Sequence, residues 1–203
     1  MIWNQYVSTT LYQERLLRNI GIMNIFKLFG GGKLEADYIR YKTLRRCGFA
    51  KLFLAYPEFR YQLYYRLREH SKLCNILLKP LQFWNSLNLY INCDDIEGGL
   101  FIEHGFATVI ACKHIGKNCW INQQVTIGYS DATNCPYIGN NVQIKAGAKV
   151  IGNVNVGDDV IIGANAVVVK DVPSHSIVVG VPARVIKVRD NITDPWRKIK
   201  FQI

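Results

Sequence analysis

Residues 138–168 read IGNNVQIKAGAKVIGNVNVGDDVIIGANAVV, with an aliphatic residue at every sixth position: Ile138, Ile144, Val150, Val156, Ile162 and Val168. Four places after each anchor comes a small or branched apolar residue: Val142, Ala148, Val154, Val160, Ala166 and Val172. A period of six fits neither the 3.6 of an amphipathic helix nor the 2 of a half-buried hairpin strand; it is the signature of a β-solenoid. Each hexad supplies a short strand whose anchor points inward, with Gly, Asn or Asp at the corner. The spacing extends backwards through Ile96, Ile102, Val109, Ile115, Ile121 and Ile127 and slips twice. Between Ile102 and Val109 it is seven, with His104 inside the slip, and between Ile127 and Ile138 it is eleven, so GYSDATNCPY carries a five-residue extrusion. Insertions in solenoids become loops on one face, often the binding face.

The charge lies mostly ahead of the repeat. Residues 1–88 hold 14 Lys/Arg against 5 Asp/Glu and 16 of the chain's aromatic residues, whereas residues 89–203 hold 11 against 10. Such a segment suits an anionic membrane surface or a diphosphate-linked substrate, and equally a solvated face over a helical core. No nucleic-acid motif accompanies it, so no nucleic-acid partner is expected. Six cysteines (Cys47, Cys74, Cys93, Cys112, Cys119 and Cys135) form no CxxC pair and no metal-like spacing, so no metal is expected. Several fall at repeat positions, where a thiol packs as a small apolar group. Reduced thiols and the lack of a recognisable signal peptide place the expected location in the cytoplasm, peripheral to the inner membrane face. The most apolar stretch, Leu73 to Ile91, is broken by Asn75, Lys79, Pro80, Asn85 and Asn88 and is too polar for a span.

The sequence divides into a basic, aromatic-rich helical region (1–88), a β-helix (89–188) and a tail (189–203). Helices are expected over 1–30, with a stop at Gly30-Gly31-Gly32, over about 34–49, and from Phe59 to His70. The last of these places Phe59, Leu63, Arg66 and Leu67 near one face. After Val168 the chain leaves the repeat through Asp171-Val172-Pro173 and returns as Ile177 to Ile186 with GVPAR.

The segments LFIEHGFATVI (100–110), HIGKNCWINQQVTIG (114–128) and the run from Ile138 to Lys187 together resemble the left-handed parallel β-helix acyltransferases that use acetyl-CoA. The arrangement of His, IG and TIG is most similar to the serine acetyltransferase branch, which includes enzymes acetylating sugars of surface polysaccharides. The resemblance implies three hexads per coil and a homotrimer with active sites between subunits. With that geometry, His104, Gln123, Ala146 and Ala164 stack in one column. The resemblance makes His104 the general base, with Glu103 as its adjoining carboxylate. It assigns acetyl-CoA contacts to Gln123, Ala146, Ala164, Val169, Lys170, Arg184 and Lys187, the cations suiting the cofactor's phosphates. His70, His114 and His175 are read as structural.

The chain departs from that pattern in two places. The family's Asp fifteen residues before the catalytic His is Leu89 here, leaving Asp94, Asp95 or Glu97 as replacements. The Arg-His pair that helps hold serine is Asn134-Cys135. Losing these groups weakens recognition of a zwitterionic amino acid, so a sugar or glycan hydroxyl is the expected acceptor. L-Serine, giving O-acetylserine for cysteine biosynthesis, is the alternative. A zinc β-helix hydratase would need three His from adjacent coils, which His104, His114 and His175 do not supply. A non-catalytic scaffold leaves His104 and GVPAR without a purpose.

Overall fold

Ile102, Ile121, Ile144 and Ile162 stand in register on four successive strands, and this stack sets the axis of a parallel β-solenoid. The computed structural model describes residues 31–68, 76 and 87–199. The helix expected over 1–30 lies outside the described residues, as do His70 and Cys74. The solenoid is built from β1 (Tyr90–Ile96), β2 (Phe101–Ile102), β3 (Val109–Ile115), β4 (Trp120–Ile121), β5 (Thr126–Gly128), β6 (Tyr137–Ile138) and β7 (Gln143–Ile144). It continues through β8 (Lys149–Ile151), β9 (Asn155–Val156), β10 (Ile161–Ile162), β11 (Val167–Val168) and β12 (Ser176–Val179). The first face stacks the starts of β1 and β3 on β5, β8 and β11; the second stacks the ends of β1 and β3 on β6 and β9. The third stacks β2, β4, β7, β10 and β12. β1 and β3 are seven residues long because each bends through a corner and serves two faces.

The hexad anchors fill the bore. Ile96, Ile102, Ile115, Ile121, Ile127, Ile138 and Ile144 are buried, as are the companions Cys119, Val125, Val142 and Ala148. Corner residues adopt left-handed backbone angles, as at Asn118 (φ 58°), Asn141 (φ 56°) and Asn165 (φ 57°). Asn tolerates that conformation better than most side chains, which is why it recurs at the corners. One anchor is corrected. Val109 is exposed and Ile110 is the buried residue, in register with Ile127. The slip between faces is therefore eight residues, from Ile102 to Ile110, and the corner that holds His104 is two residues longer than the corner between Ile121 and Ile127.

Among the described residues, three helices precede the solenoid. Helical residues 31–45 form α1, which includes Gly31 and Gly32 and stops at Arg46 (φ 51°), short of the expected end. Phe49–Ala55 is a separate helix, α2, which lies beyond the expected range of about 34–49. Pro57–Arg68 forms α3, starting two residues earlier than expected, with Pro57 at a position where its missing N–H costs nothing. Instead of one apolar face, α3 buries Glu58, Phe59, Tyr61, Gln62, Leu63, Tyr64 and Tyr65, because it lies between the solenoid and the other helices. Leu34, Tyr38, Tyr41, Leu52, Phe59 and Leu63 form a second core that meets the solenoid through Phe101, whose ring lies 4.7 Å from that of Tyr41.

Side chains of these helices satisfy the backbone of the first coil. Asp37 accepts the N–H groups of Gly99 and Leu100, and the Tyr41 hydroxyl bonds both the N–H and the carbonyl of Ile102. Gln62 donates to Leu100, Tyr65 to Cys93, and Arg66 to the carbonyls of Ile96 and Glu97. At the other end the chain turns back as β13 (Arg184–Val188), antiparallel to β12, and β14 (Arg197–Lys198), antiparallel to β13. Asp159 pairs with Arg189 and His175 there, and the Arg189 guanidinium sits 4.2 Å over the Trp196 ring.

Candidate active site

The two extra residues at the first corner are His104 and Gly105, both at positive φ (64° and 42°). A non-glycine residue held there costs of order 1–3 kcal/mol and persists only where its surroundings enforce it. Below them the backbone ladder resumes, with Gln124 N–H bonded to Phe106, Gly147 N–H to Gln123, and Asn165 N–H to Ala146. Gln123, Ala146 and Ala164 thus form a continuous column along one corner. His104 stands outside it, bulging from the top coil, which corrects the expectation that it shares their backbone register. The imidazole is exposed and has no hydrogen-bond partner among the described residues.

Glu103 points away from solvent. Its Oε2 accepts from Trp120 Nε1 (3.1 Å) and Asn122 Nδ2 (3.2 Å), and its Oε1 lies 3.8 Å from Arg45 of α1. Arg45 is shared: it also reaches Glu58 of α3 at 3.5 Å. Glu58 is 3% exposed, and a side chain placed at Gly105 would meet its Cβ at 3.3 Å. Burial pushes the Glu58 carboxyl above the ordinary range, while Arg45 and His104 pull it back. The replacement carboxylates expected from the sequence lie elsewhere. Asp95 is taken by Lys33 (2.6 Å) and His114 (3.0 Å) on the second face, Glu97 lies 3.6 Å from the same Lys33, and Asp94 is exposed at the following corner. Leu89 is buried. Glu58 was missed because it lies 46 positions before His104 on a helix, and no local spacing connects the two.

The other two described histidines have structural partners. His114 stacks on Tyr137 (4.6 Å between centroids) and pairs with Asp95, while His175 pairs with Asp159. Among the described residues no group of three or more His, Cys, Asp or Glu is placed to hold a metal.

The C-terminal end of the solenoid carries the other expected cofactor residues. Val169 and Lys170 follow β11 and are exposed, and the GVPAR loop docks beside them through Val167 N–H to Gly180 and Ala183 N–H to Val167. That docking brings exposed Arg184 to the same end as Lys170, whereas Lys187 sits further along β13, opposite Ile177. Within the wall, Gln123 Oε1 is buried with no hydrogen-bond partner among the described residues. An unpaired buried acceptor, two small side chains and terminal cations fit a long ligand with amide N–H groups and phosphates.

In the extruded loop, Asp131 binds the N–H groups of Thr133 and Asn134 and the Asn134 side-chain amide. These bonds, led by that from Thr133, hold the Asp131 carboxyl far below its usual range. Asn134 is thus committed to shaping the loop.

Residues 135–170 match the family described as bacterial transferase hexapeptide (six repeats). The solenoid is a hexapeptide-repeat β-helix. Among curated proteins the chain is similar to the serine acetyltransferase of Staphylococcus xylosus, 40% identical over 120 residues, covering 57% of this chain and 55% of that protein. The serine acetyltransferase of Synechococcus elongatus is 47% identical over 92 residues, covering 43% and 38%. The chain thus spans about half, or less, of the length of these relatives. Among solved structures, the serine acetyltransferase of Neisseria gonorrhoeae in complex with serine matches with a TM-score of 0.60 and 27% identity, over 85% of this chain and 75% of that one.

Proposed function

We propose that the protein transfers an acetyl group from acetyl-CoA to a hydroxyl, with His104 as general base. The observation that carries this reading is an exposed imidazole, held on a bulge at the head of a small-residue corner, with Lys170 and Arg184 exposed at the opposite end of the solenoid. An acceptor hydroxyl cannot lose its proton unaided near pH 7. As its oxygen attacks the thioester carbonyl, the neutral imidazole takes the proton, a step worth ~10²–10⁴-fold in rate. The carbon–sulfur bond then breaks, and the imidazolium returns its proton to the sulfur, so that coenzyme A leaves as the thiol and the base is regenerated. Gln123, Ala146, Ala164 and Val169 would flank the extended part of the donor, and Lys170, Arg184 and Lys187 its phosphates.

Of the two acceptors, L-serine is the one that the names of the similar proteins favour. A sugar hydroxyl, as in surface-polysaccharide acetylation, is the second reading. It is favoured by the buried Leu89 and by an extruded loop that offers Asn134-Cys135 in place of two cationic or titratable donors. The protein is further proposed to act as a homotrimer, with the exposed Tyr90, Phe106 and Val109 beside His104 covered by a neighbouring copy. The division at residue 88 and a peripheral contact of the basic region with anionic lipid belong to the same proposal.

The test is release of coenzyme A from acetyl-CoA with L-serine in one series and a panel of nucleotide sugars and glycans in another, with His104→Ala in parallel. Release with serine, lost in the variant, establishes the first acceptor; release with a sugar alone establishes the second. If coenzyme A neither binds nor is released, the transferase reading fails.

A further inference from the structure

We propose that Glu58, supplied by α3 and not by the solenoid, is the carboxylate that positions His104. This inference rests on the transferase reading above and adds to it the partner of the base. Three observations lead to Glu58. First, it packs against the bulge itself, with its Cβ 3.3 Å from where a Gly105 side chain would begin. Second, it is buried with Arg45 as counter-ion, and Arg45 also reaches Glu103, so one cation holds the carboxylates on both sides of the histidine turn. Third, the remaining nearby acids are committed or distant: Glu103 to Trp120 and Asn122, and Asp95 to His114 and Lys33.

The chemistry of a base explains why such a group belongs there. An imidazole that accepts a proton becomes a cation, and a fixed carboxylate beside it stabilises that form and selects the ring orientation. The charged groups around the bulge are Glu58 from α3, Arg45 from α1, which pairs with it, and Glu103 from the histidine's own turn. Arg45 opposes the effect but is divided between two acids. His104 pulls the Glu58 carboxyl down, against the burial that raises it. The helical layer is thereby part of the active site, and Glu58 is a positioning residue that acts through His104.

Glu58→Gln in the full chain is the test, with Glu58→Asp as the conservative variant and thermal melting as the folding control. Two readouts are taken: the pH profile of kcat/KM for coenzyme A release, and the pH titration of the His104 ring resonance by NMR, which needs no turnover. For Glu58→Gln the expected result is a fall in kcat of about tenfold or more, though less than the ~10²–10⁴-fold worth of the base. KM for acetyl-CoA stays within twofold, the ring titration moves to lower pH, and Glu58→Asp restores part of both. A ring titration superimposable on wild type overturns the proposal, whatever happens to melting, because a purely structural Glu58 would move stability alone. If wild-type protein turns over no acceptor, the transferase reading fails, while the ring titration still decides whether Glu58 acts on His104.

Discussion

Arg66 Nε lies 2.8 Å from Asp37 Oδ2, and the other oxygen of that carboxylate accepts the N–H groups of Gly99 and Leu100 at 2.8 and 2.9 Å. Both side chains are almost wholly buried (7% and 1% exposed), so neither finds water if the other is removed. Breaking a buried pair from one side costs ~3–5 kcal/mol. Asp37→Ala is expected to lower stability by that amount in urea denaturation, and to raise hydrogen exchange first at Gly99 and Leu100.

Glycines at the corners differ in how much room they have. A methyl group at Gly116 would sit 2.6 Å from the Gly139 backbone, whereas at Gly128 its nearest neighbours are side-chain carbons at 3.7 and 3.8 Å. Overpacking against backbone costs ~1–3 kcal/mol or more. Gly116→Ala should therefore shift the denaturation midpoint clearly. Gly128→Ala should change stability by less than ~1 kcal/mol.

Asp159 sets a pH dependence at the C-terminal end. Burial acts to raise its pKa, but the bonds from Arg189 and His175 outweigh burial and leave the carboxyl below its ordinary range. A depressed folded value means the stabilisation is present above the unfolded pKa, about 3.9, and is lost as pH falls through the folded one. Melting temperature should drop below about pH 4 in wild type. Asp159→Asn should be less stable at neutral pH and should lose this part of the acid limb.

Charge reversal at the C-terminal end of the solenoid separates donor binding from chemistry. Lys170→Glu combined with Arg184→Glu is expected to raise KM for acetyl-CoA at least about tenfold, since each lost charge-assisted bond is worth about 1.5–3 kcal/mol. Steady-state kinetics at saturating donor should show kcat within about twofold of wild type. An unchanged KM would remove both residues from the donor site.

The excess of basic residues in 1–88 predicts salt-sensitive association with anionic vesicles. Flotation at low salt should recover more protein with anionic than with neutral vesicles, and the difference should vanish as salt rises. Equal flotation with both would argue against a membrane contact.

The solenoid was legible because its period is written residue by residue: each Ile or Val anchor points inward, and each hexad is a local decision. The misassigned anchor at Val109 shows where that reading fails. Val109 and Ile110 are both β-branched, and only pairing with Thr126 and Ile127 reveals which one faces the bore. The helical layer was less legible, since α3 is buried nearly all round and carries no clean apolar stripe. The site was read in part. His104 lies inside a visible slip, whereas Glu58 comes against that bulge, at Gly105, only through tertiary packing.

The backbone bonds that Asp37, Tyr41, Gln62, Tyr65 and Arg66 make to the first coil also bear on self-association. A stack of coils ends in unpaired strand edges, each able to template another copy. Here the amides of Gly99, Leu100 and Ile102 and the carbonyls of Cys93, Ile96, Glu97, Leu100 and Ile102 are taken by side chains that cannot themselves be extended as strands. At the opposite end the antiparallel β13 and β14 reverse the strand direction. One-dimensional growth is thus arrested at both ends, and a chain shorn of its helical layer would be a seed for fibres.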